Sequence, residues 1–393
     1  MGVATPPLHP MPTEFPNEFP ARPLFLGSEI YRGSSYGAKH PLAIPRVSTA
    51  IDLSRAMGWL PDAVYRDSPL ASPQELARFH TPDYIAALHR AEADQHVDAA
   101  TGERYNLGRL ENPVFPEMYR RPAISTGAAI LAGRLLAEVP AGIVYSPASG
   151  THHARPGRAS GFCYLNAPVL GILALLDSGI ERVLYVDLDA HHGDGVEDAF
   201  ADDDRVLTLS VHEDGRWPYT GKAEDRPGDL AFNLPVPPEF NDTEMDYLLE
   251  TVILPLGQAF RPQALVIQTG ADALAEDPLS RLDLSNGALW RAVRALMGLA
   301  PRLLVVGGGG YNPWSVGRCW AGIWAVLNDI APTVPPTPEA ESVLRALRWS
   351  RAAGRNPPEH WFTTLADVPR PGLLRDEVRR VAAAAIAKMV WTG

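Results

Sequence analysis

Five side chains able to hold a metal ion or carry a proton fall within eight residues of this chain: Asp187, Asp189, His191, His192 and Asp194. They lie in the stretch ERVLYVDLDAHHGDGVEDAF, residues 181–200. In its first half Val183, Leu184, Tyr185, Val186 and Leu188 are apolar or aromatic with little alternation, the pattern of a parallel strand covered on both faces. Gly193 and Gly195 let the backbone turn sharply where that strand ends. Asp189 and His191, two apart at a strand end, point the same way. Asp272, in TGADAL after another apolar run, could complete a set of two carboxylates and one imidazole with an open position. Such a set suits a catalytic divalent ion, zinc or iron(II). Taken alone, Asp272 equally fits a helix cap or a turn former.

His152 and His153 are adjacent in SGTHHA, again after an apolar run. A histidine pair opposite an Asp/His cluster suits acid–base chemistry, and Asp187 and Asp194 are available to fix the imidazole tautomers and raise their pKa. GGGGYN, residues 307–312, allows close backbone approach. No Lys-Ser/Thr follows it, which excludes a P-loop. The segment could let the Tyr311 hydroxyl reach an oxyanion; plain core packing of Tyr311 stays open at this point. Arg46, before a helix expected over Val47–Met57, reads on its own as a solvated charge.

These groups need strands to deliver them. The pattern predicts strands over Ala141–Tyr145, Val183–Leu188, Arg205–Leu209, Ala264–Gln268 and Arg302–Val306. Helices are expected over Ser125–Glu138, Ala167–Leu176, Asp246–Ala259 and Gly287–Ala300, and two short pieces over Gln74–Arg90 broken at Pro82. Alternating strands and helices imply an α/β fold with a mostly parallel sheet. Ligands bind such sheets at the carboxyl ends of the strands, where the segments named above fall. The long loop Arg104–Tyr119 has the length of a functional loop. Residues 1–22 are proline-rich and read as an extended lead-in, 23–330 as the main domain, and 331–393 as a helical C-terminal extension packed on the core. In that extension helices are expected over Glu339–Trp349 and Leu373–Met389, with Trp349, Trp361 and Trp391 as anchors.

Composition narrows the function classes. The chain has 393 residues, 46% hydrophobic and 21% charged, so it is globular, and its length is within reach of one large α/β domain. A net charge of −11 without a Lys/Arg run argues against a nucleic-acid partner. Cys163 and Cys319 are too few for a disulfide framework or a thiolate zinc site. No apolar run approaches membrane length, and no basic-then-apolar leader opens the chain, so a cytoplasmic protein is expected.

SGTHHA, ASGFCYLN, YVDLDAHHGDGVEDAF, GADAL and GGGGYN, in this order and spacing, resemble the histone deacetylase superfamily of metal-dependent deacetylases. The match runs over roughly 30–328. The loop NLGRLENPVFPEMY and the C-terminal extension are most similar to the bacterial acetoin-utilisation branch. The resemblance implies a single arginase-like domain with eight parallel strands, helices on both faces, and lysine deacetylation by zinc-activated water. Asp189, His191 and Asp272 match the zinc ligands, and His153 the general base and acid, with Asp194 as its partner. His152 matches the companion histidine, with Asp187 behind it, and Tyr311 the tyrosine that polarises the acetyl carbonyl. Gly161, Phe162 and Leu279 match the acyl-lysine tunnel. Arg46 matches an inner-channel arginine linked to acetate release, which replaces the solvated reading. Ser210 and the Asp187 region match a structural potassium site. Trp217 stands where the family usually has phenylalanine, and Glu111 matches a rim aspartate that binds the substrate backbone. The implied partner is an acetylated protein, such as an acyl-CoA synthetase. Small acetylated amines such as acetylpolyamines, or other acyl-lysines, are the alternative substrates. A two-manganese ureohydrolase on the same fold would need further bridging aspartates, and a non-catalytic acetyl-lysine reader should have lost one of these groups.

Overall fold

The structure is a computed structural model that describes residues 22–225 and 228–389. The lead-in, apart from its last residue, and Trp391 lie outside the described residues. Eight strands form one sheet: β1 (Leu24–Gly27), β2 (Tyr65–Asp67), β3 (Gly142–Ser146), β4 (Val183–Asp187), β5 (Val206–Glu213), β6 (Ala231–Val236), β7 (Ala264–Gln268) and β8 (Arg302–Val306). Their order is β2-β1-β3-β8-β7-β4-β5-β6, and every neighbouring pair is parallel.

The five expected strands are present: β7 and β8 have the expected bounds, and β3, β4 and β5 have shifted ends. The other three carry weaker signals. β1 has only four residues, and β2 is a three-residue, largely exposed edge. β6 forms the opposite edge and contains Asn233 and Pro235, residues that depress a strand reading although proline is tolerated on an edge.

Alternation along each strand divides the core. Leu184 and Val186 face one side with Leu265, Ile267, Leu303 and Val305. Val183 and Tyr185 face the other with Val266, Leu304 and Val306. Helices Val47–Ala56, Asn286–Leu296 and Pro313–Leu327 cover the first side. Helices Arg120–Ala137 and Ala167–Asp177 cover the second. Burial on both faces explains why the central strands read as unbroken apolar runs. The helix expected over Asp246–Ala259 is longer, running from Asp242 to Phe260 through a π turn at Leu249–Ile253, which lies just ahead of Pro255.

Three C-terminal helices, Pro338–Ala346, His360–Thr363 and Asp376–Met389, place Ala340, Leu344, Trp361, Val378 and Ala382 in the first of these cores. Two of them differ in extent from the expected segments. The first stops at Ala346, because Leu347 turns to extended backbone, and the last starts at Asp376 rather than Leu373.

Candidate active site

The carboxyl ends of β3, β4, β7 and β8 carry the chemistry to one edge of the sheet. After β4, Asp189 and His191 meet Asp272, which sits in the short turn Ala271–Ala273 beyond β7. One donor atom of each lies within 4.8 Å of the other two, and all three residues are buried. His191 Nδ1 is 2.9 Å from Asp272 Oδ2 and 3.3 Å from Asp189 Oδ1. Asp189 Oδ2 accepts the Gly309 N–H at 2.6 Å, and Asp272 Oδ1 the Ala190 N–H at 3.1 Å. The carboxylates are thereby aimed, not merely adjacent.

The electrostatics of this trio ask for a cation. Burial opposes the charged form of His191, yet its hydrogen bonds to Asp189 and Asp272 outweigh burial and push the imidazole up to about 10. Burial likewise raises Asp272, and the Asp189 charge adds to it. Two carboxylates and one imidazole nitrogen, buried and converging, fit a divalent ion of the zinc or iron(II) kind.

Behind the trio stand two imidazole–carboxylate pairs. His152 Nδ1–H donates to Asp187 Oδ2 at 2.7 Å, and Tyr185 Oη–H donates to the same oxygen at 2.7 Å. His153 Nδ1–H donates to Asp194 Oδ1 at 2.7 Å, while Arg155 holds the other oxygen at 2.6 Å. Each ring therefore presents Nε2 away from its carboxylate. The two rings lie 3.9 Å apart between centroids, close enough for their charges to compete. For His152, burial is outweighed by Asp187 and Asp189, and its pKa rises to about 9. For His153, burial and the neighbouring His152 charge outweigh Asp194, and the pKa falls to about 4. The carboxylate partner raises the imidazole pKa in both pairs, as expected from the sequence, but for His153 burial and the His152 charge outweigh it. At neutral pH His152 is cationic and His153 is a neutral acceptor.

Tyr311 follows β8 and is buried; burial first, then the Asp272 charge, keep its hydroxyl protonated. The glycines before it allow the approach: a Cβ at Gly308 would lie 2.6 Å from Asp189 Oδ2, and one at Gly309 1.9 Å from Asp272 Oδ2.

A cleft of about 650 Å³ opens over these groups, bounded by His153, Phe162, His191, Trp217, Leu279 and Tyr311. Gly161 and Phe162 both have positive φ, +54° and +67°, and a Cβ on Gly161 would strike the Trp217 ring at 2.3 Å. The Trp217 and His153 ring centroids lie 4.7 Å apart and those of Phe162 and Tyr311 5.9 Å apart, both pairs edge to face. Glu111 reaches the cleft, where its carboxylate accepts the Gly161 N–H and, at 3.3 Å, the Asn106 amide. Beneath the trio a small cavity of about 40 Å³ is bounded by Tyr36, Leu42, Arg46, Cys163 and Gly308. The half-buried Arg46 guanidinium donates to the Gly308 carbonyl at 2.7 Å and lies 5.2 Å over Trp320. Ser210 lies in β5 in register with Asp187 of β4, with its hydroxyl 2.9 Å from His212 Nδ1. Tyr185 and Arg155, which hold the two aspartates, escaped the sequence reading. Arg155 follows the histidine pair directly in HHAR, and Tyr185 passes for one more strand apolar residue.

Convergent carboxylates and imidazoles at the carboxyl edge of a parallel sheet are a donor set consistent with a catalytic metal in an α/β protein. Comparison with known proteins narrows the class. Residues 40–327 match the histone deacetylase domain. The chain is 39% identical over 306 residues to histone deacetylase 9 of Arabidopsis thaliana, covering 76% of this chain and 71% of that one. It is 31% identical over 380 residues to the acetoin utilization protein AcuC of Bacillus subtilis (strain 168), covering 94% and 96%. The crystal structure of an HDAC homolog from Aquifex aeolicus superimposes with a TM-score of 0.87 at 34% identity, over 93% of this chain and all of that one. The chain belongs to the histone deacetylase family, hydrolytic deacetylases in which zinc dependence is general. Among the described residues no helix is long and apolar enough to cross a membrane.

Proposed function

We propose that this protein removes the acetyl group from the ε-amine of protein lysines and releases acetate. The observation that carries the reading is His153, fixed by Asp194 and lining the same cleft as Tyr311 and His191, which itself converges with Asp189 and Asp272. Asp189, His191 and Asp272 would hold zinc, with iron(II) as the alternative. That ion, when bound, supplies Lewis-acid polarisation of water and of the acetyl carbonyl.

His153 Nε2 accepts the proton of the attacking water as its oxygen bonds to the acetyl carbon. Charge then develops on the former carbonyl oxygen, where the Tyr311 hydroxyl donates a hydrogen bond. His153 returns the proton to the lysine nitrogen as the C–N bond breaks, leaving acetic acid and the amine; transfer of the remaining carboxyl proton to the amine gives acetate and a lysine ammonium. His152, cationic against Asp187, keeps its neighbour His153 neutral and steadies the growing negative charge. Phe162, Trp217 and Leu279 enclose the lysine methylenes, with Gly161 leaving room for Trp217. Glu111 accepts a substrate backbone N–H at the rim, and Arg46 draws acetate into the inner cavity. A potassium ion behind β4, near Asp187 and Ser210, would stiffen the strand end. Acyl-CoA synthetases carrying acetyl-lysine in the cytoplasm are the partners this reading favours. The catalytic domain is taken as 23–330 and the extension as 331–393.

An acetyl-lysine peptide compared with an acetylated polyamine, at matched concentrations, tests the substrate class. A kcat/KM at least tenfold higher for the peptide is expected. A preference for the polyamine would move the assignment to small acetylated amines.

A further inference from the structure

Asp277 lies outside the roles assigned so far, yet it is almost wholly buried between the two loops that form one wall of the cleft. Its Oδ2 accepts the Tyr311 N–H at 2.7 Å, and its Oδ1 accepts the Leu279 N–H at 2.9 Å. One carboxylate thus ties the backbone of the oxyanion donor to the backbone of the tunnel wall. The residue before it, Glu276, has φ +70°, a left-handed conformation that a non-glycine residue keeps only when its surroundings impose it. What imposes it comes from the C-terminal extension: the Trp361 indole N–H donates to Glu276 Oε2 at 2.7 Å. Trp361 also stacks on Trp314 at 4.9 Å, and the Trp314 N–H donates to Asn312, the neighbour of Tyr311. Trp361 therefore contacts the Asp277 loop directly, and reaches the Tyr311 loop through Trp314 at the start of the helix that follows it.

We infer that Asp277 is a positioning residue for Tyr311, and that the C-terminal extension, through Trp361 and Glu276, holds the turn that aims it. The inference rests on Tyr311 acting as the oxyanion donor. It gives the extension a function in the chemistry although none of its described residues lines the cleft. The Tyr311 side chain hangs from a backbone preceded by four glycines, which cannot by themselves fix its direction. Loss of one acceptor oxygen at Asp277 leaves the Tyr311 or the Leu279 N–H facing a donor, and the loop relaxes.

The test measures kcat and KM of the full-length, zinc-loaded protein on an acetyl-lysine peptide. The variants are Asp277→Asn, Trp361→Phe and Tyr311→Phe, singly and in pairs with Tyr311→Phe. Trp361→Phe keeps an aromatic ring on Trp314 and removes only the donor to Glu276, while Glu276→Gln keeps an acceptor and serves as the conservative partner. Asp277→Asn should lower kcat about tenfold and Trp361→Phe severalfold, with KM within about twofold, and Glu276→Gln should remain near wild type. In the Tyr311→Phe background, itself lowered about a hundredfold or more, neither second change should lower kcat further. Amide exchange of segment 307–312, read by mass spectrometry, should accelerate in Asp277→Asn and in Trp361→Phe. Full additivity with Tyr311→Phe, or unchanged exchange, overturns the positioning role while leaving the oxyanion role standing. A Tyr311→Phe variant with wild-type kcat overturns the oxyanion role and the inference with it. If Asp277→Asn does not fold, the Trp361→Phe pair decides by the same criteria.

Discussion

Replacing Gly309 with alanine should disable the proposed metal-binding trio while leaving the fold in place. A Cβ built on Gly309 lies 1.9 Å from Asp272 Oδ2 and 2.5 Å from its Cγ. Ordinary contact would need the carboxylate to withdraw by about 1.5 Å, more than a binding or catalytic site tolerates. Asp272 has nowhere to go: it is fully buried, its Oδ1 is held by Ala190 N–H, and its Oδ2 faces His191 at 2.9 Å. The glycine backbone cannot retreat either without breaking the Gly309 N–H bond to Asp189 Oδ2. Displacement of a ligand by this distance should weaken zinc binding about a hundredfold or more and acetate release at least as much. Gly33→Ala, whose Cβ meets nothing within 4 Å, is the matched control and should change stability by no more than about 0.5 kcal/mol. The assay is competition for zinc against a chromogenic chelator, with acetate release and thermal unfolding measured on the same samples. A Gly309→Ala protein with wild-type zinc affinity and rate would refute the geometry assigned to the trio.

The histidine pair predicts an unusual pH profile. His153 must be neutral to accept a proton, and burial and the His152 charge set its pKa at about 4, so activity should persist well below the 6.5 of a free imidazole. His152 loses its proton above about 9, which sets the upper limb; a kcat/KM that halves between pH 6 and 7 would contradict the pair. His80 makes a separate prediction about acid stability. It is buried and neutral, accepts the Asn166 N–H at 3.0 Å, and burial lowers its pKa to about 4. Between pH 4 and 6.5 the unfolded chain binds the proton and the folded one does not. The contribution, on the order of 3 kcal/mol, is therefore complete above about pH 6.5 and lost as pH falls toward 4. His80→Gln should flatten the pH dependence of the urea midpoint over that range, and an unchanged slope would count against it. Trp217→Phe should admit longer acyl chains, read as a rise in the ratio of butyryl- to acetyl-lysine turnover; an unaltered ratio would show that Trp217 does not set tunnel width.

Much of this site is legible in the sequence because its chemistry is local. Asp187 to Asp194 follow a strand whose apolar run announces its burial, and their spacing alone separates Asp189 and His191 from their neighbours. Edge strands gave weak signals: β2 is short and exposed, and β6 is broken by Pro235. The unequal pKa values of His152 and His153 depend on rings 3.9 Å apart sharing charge, a distance no spacing encodes. Glu276 and Asp277 were invisible for a similar reason. Their partners, Trp361 and Tyr311, lie 85 and 34 residues away, and a carboxylate whose work is to accept two backbone N–H groups leaves no motif.

The central claim is that a metal held by Asp189, His191 and Asp272 acts with His153 and Tyr311 on an acetyl-lysine amide. The most direct measurement is acetate release from an acetyl-lysine peptide by the zinc-loaded protein, before and after chelation. His153→Ala and Tyr311→Phe are measured beside it. Chelation should abolish turnover and zinc restore it, and each variant should lose about a hundredfold or more in kcat while still folding. Turnover that survives chelation, or wild-type rates in both variants, would contradict the account.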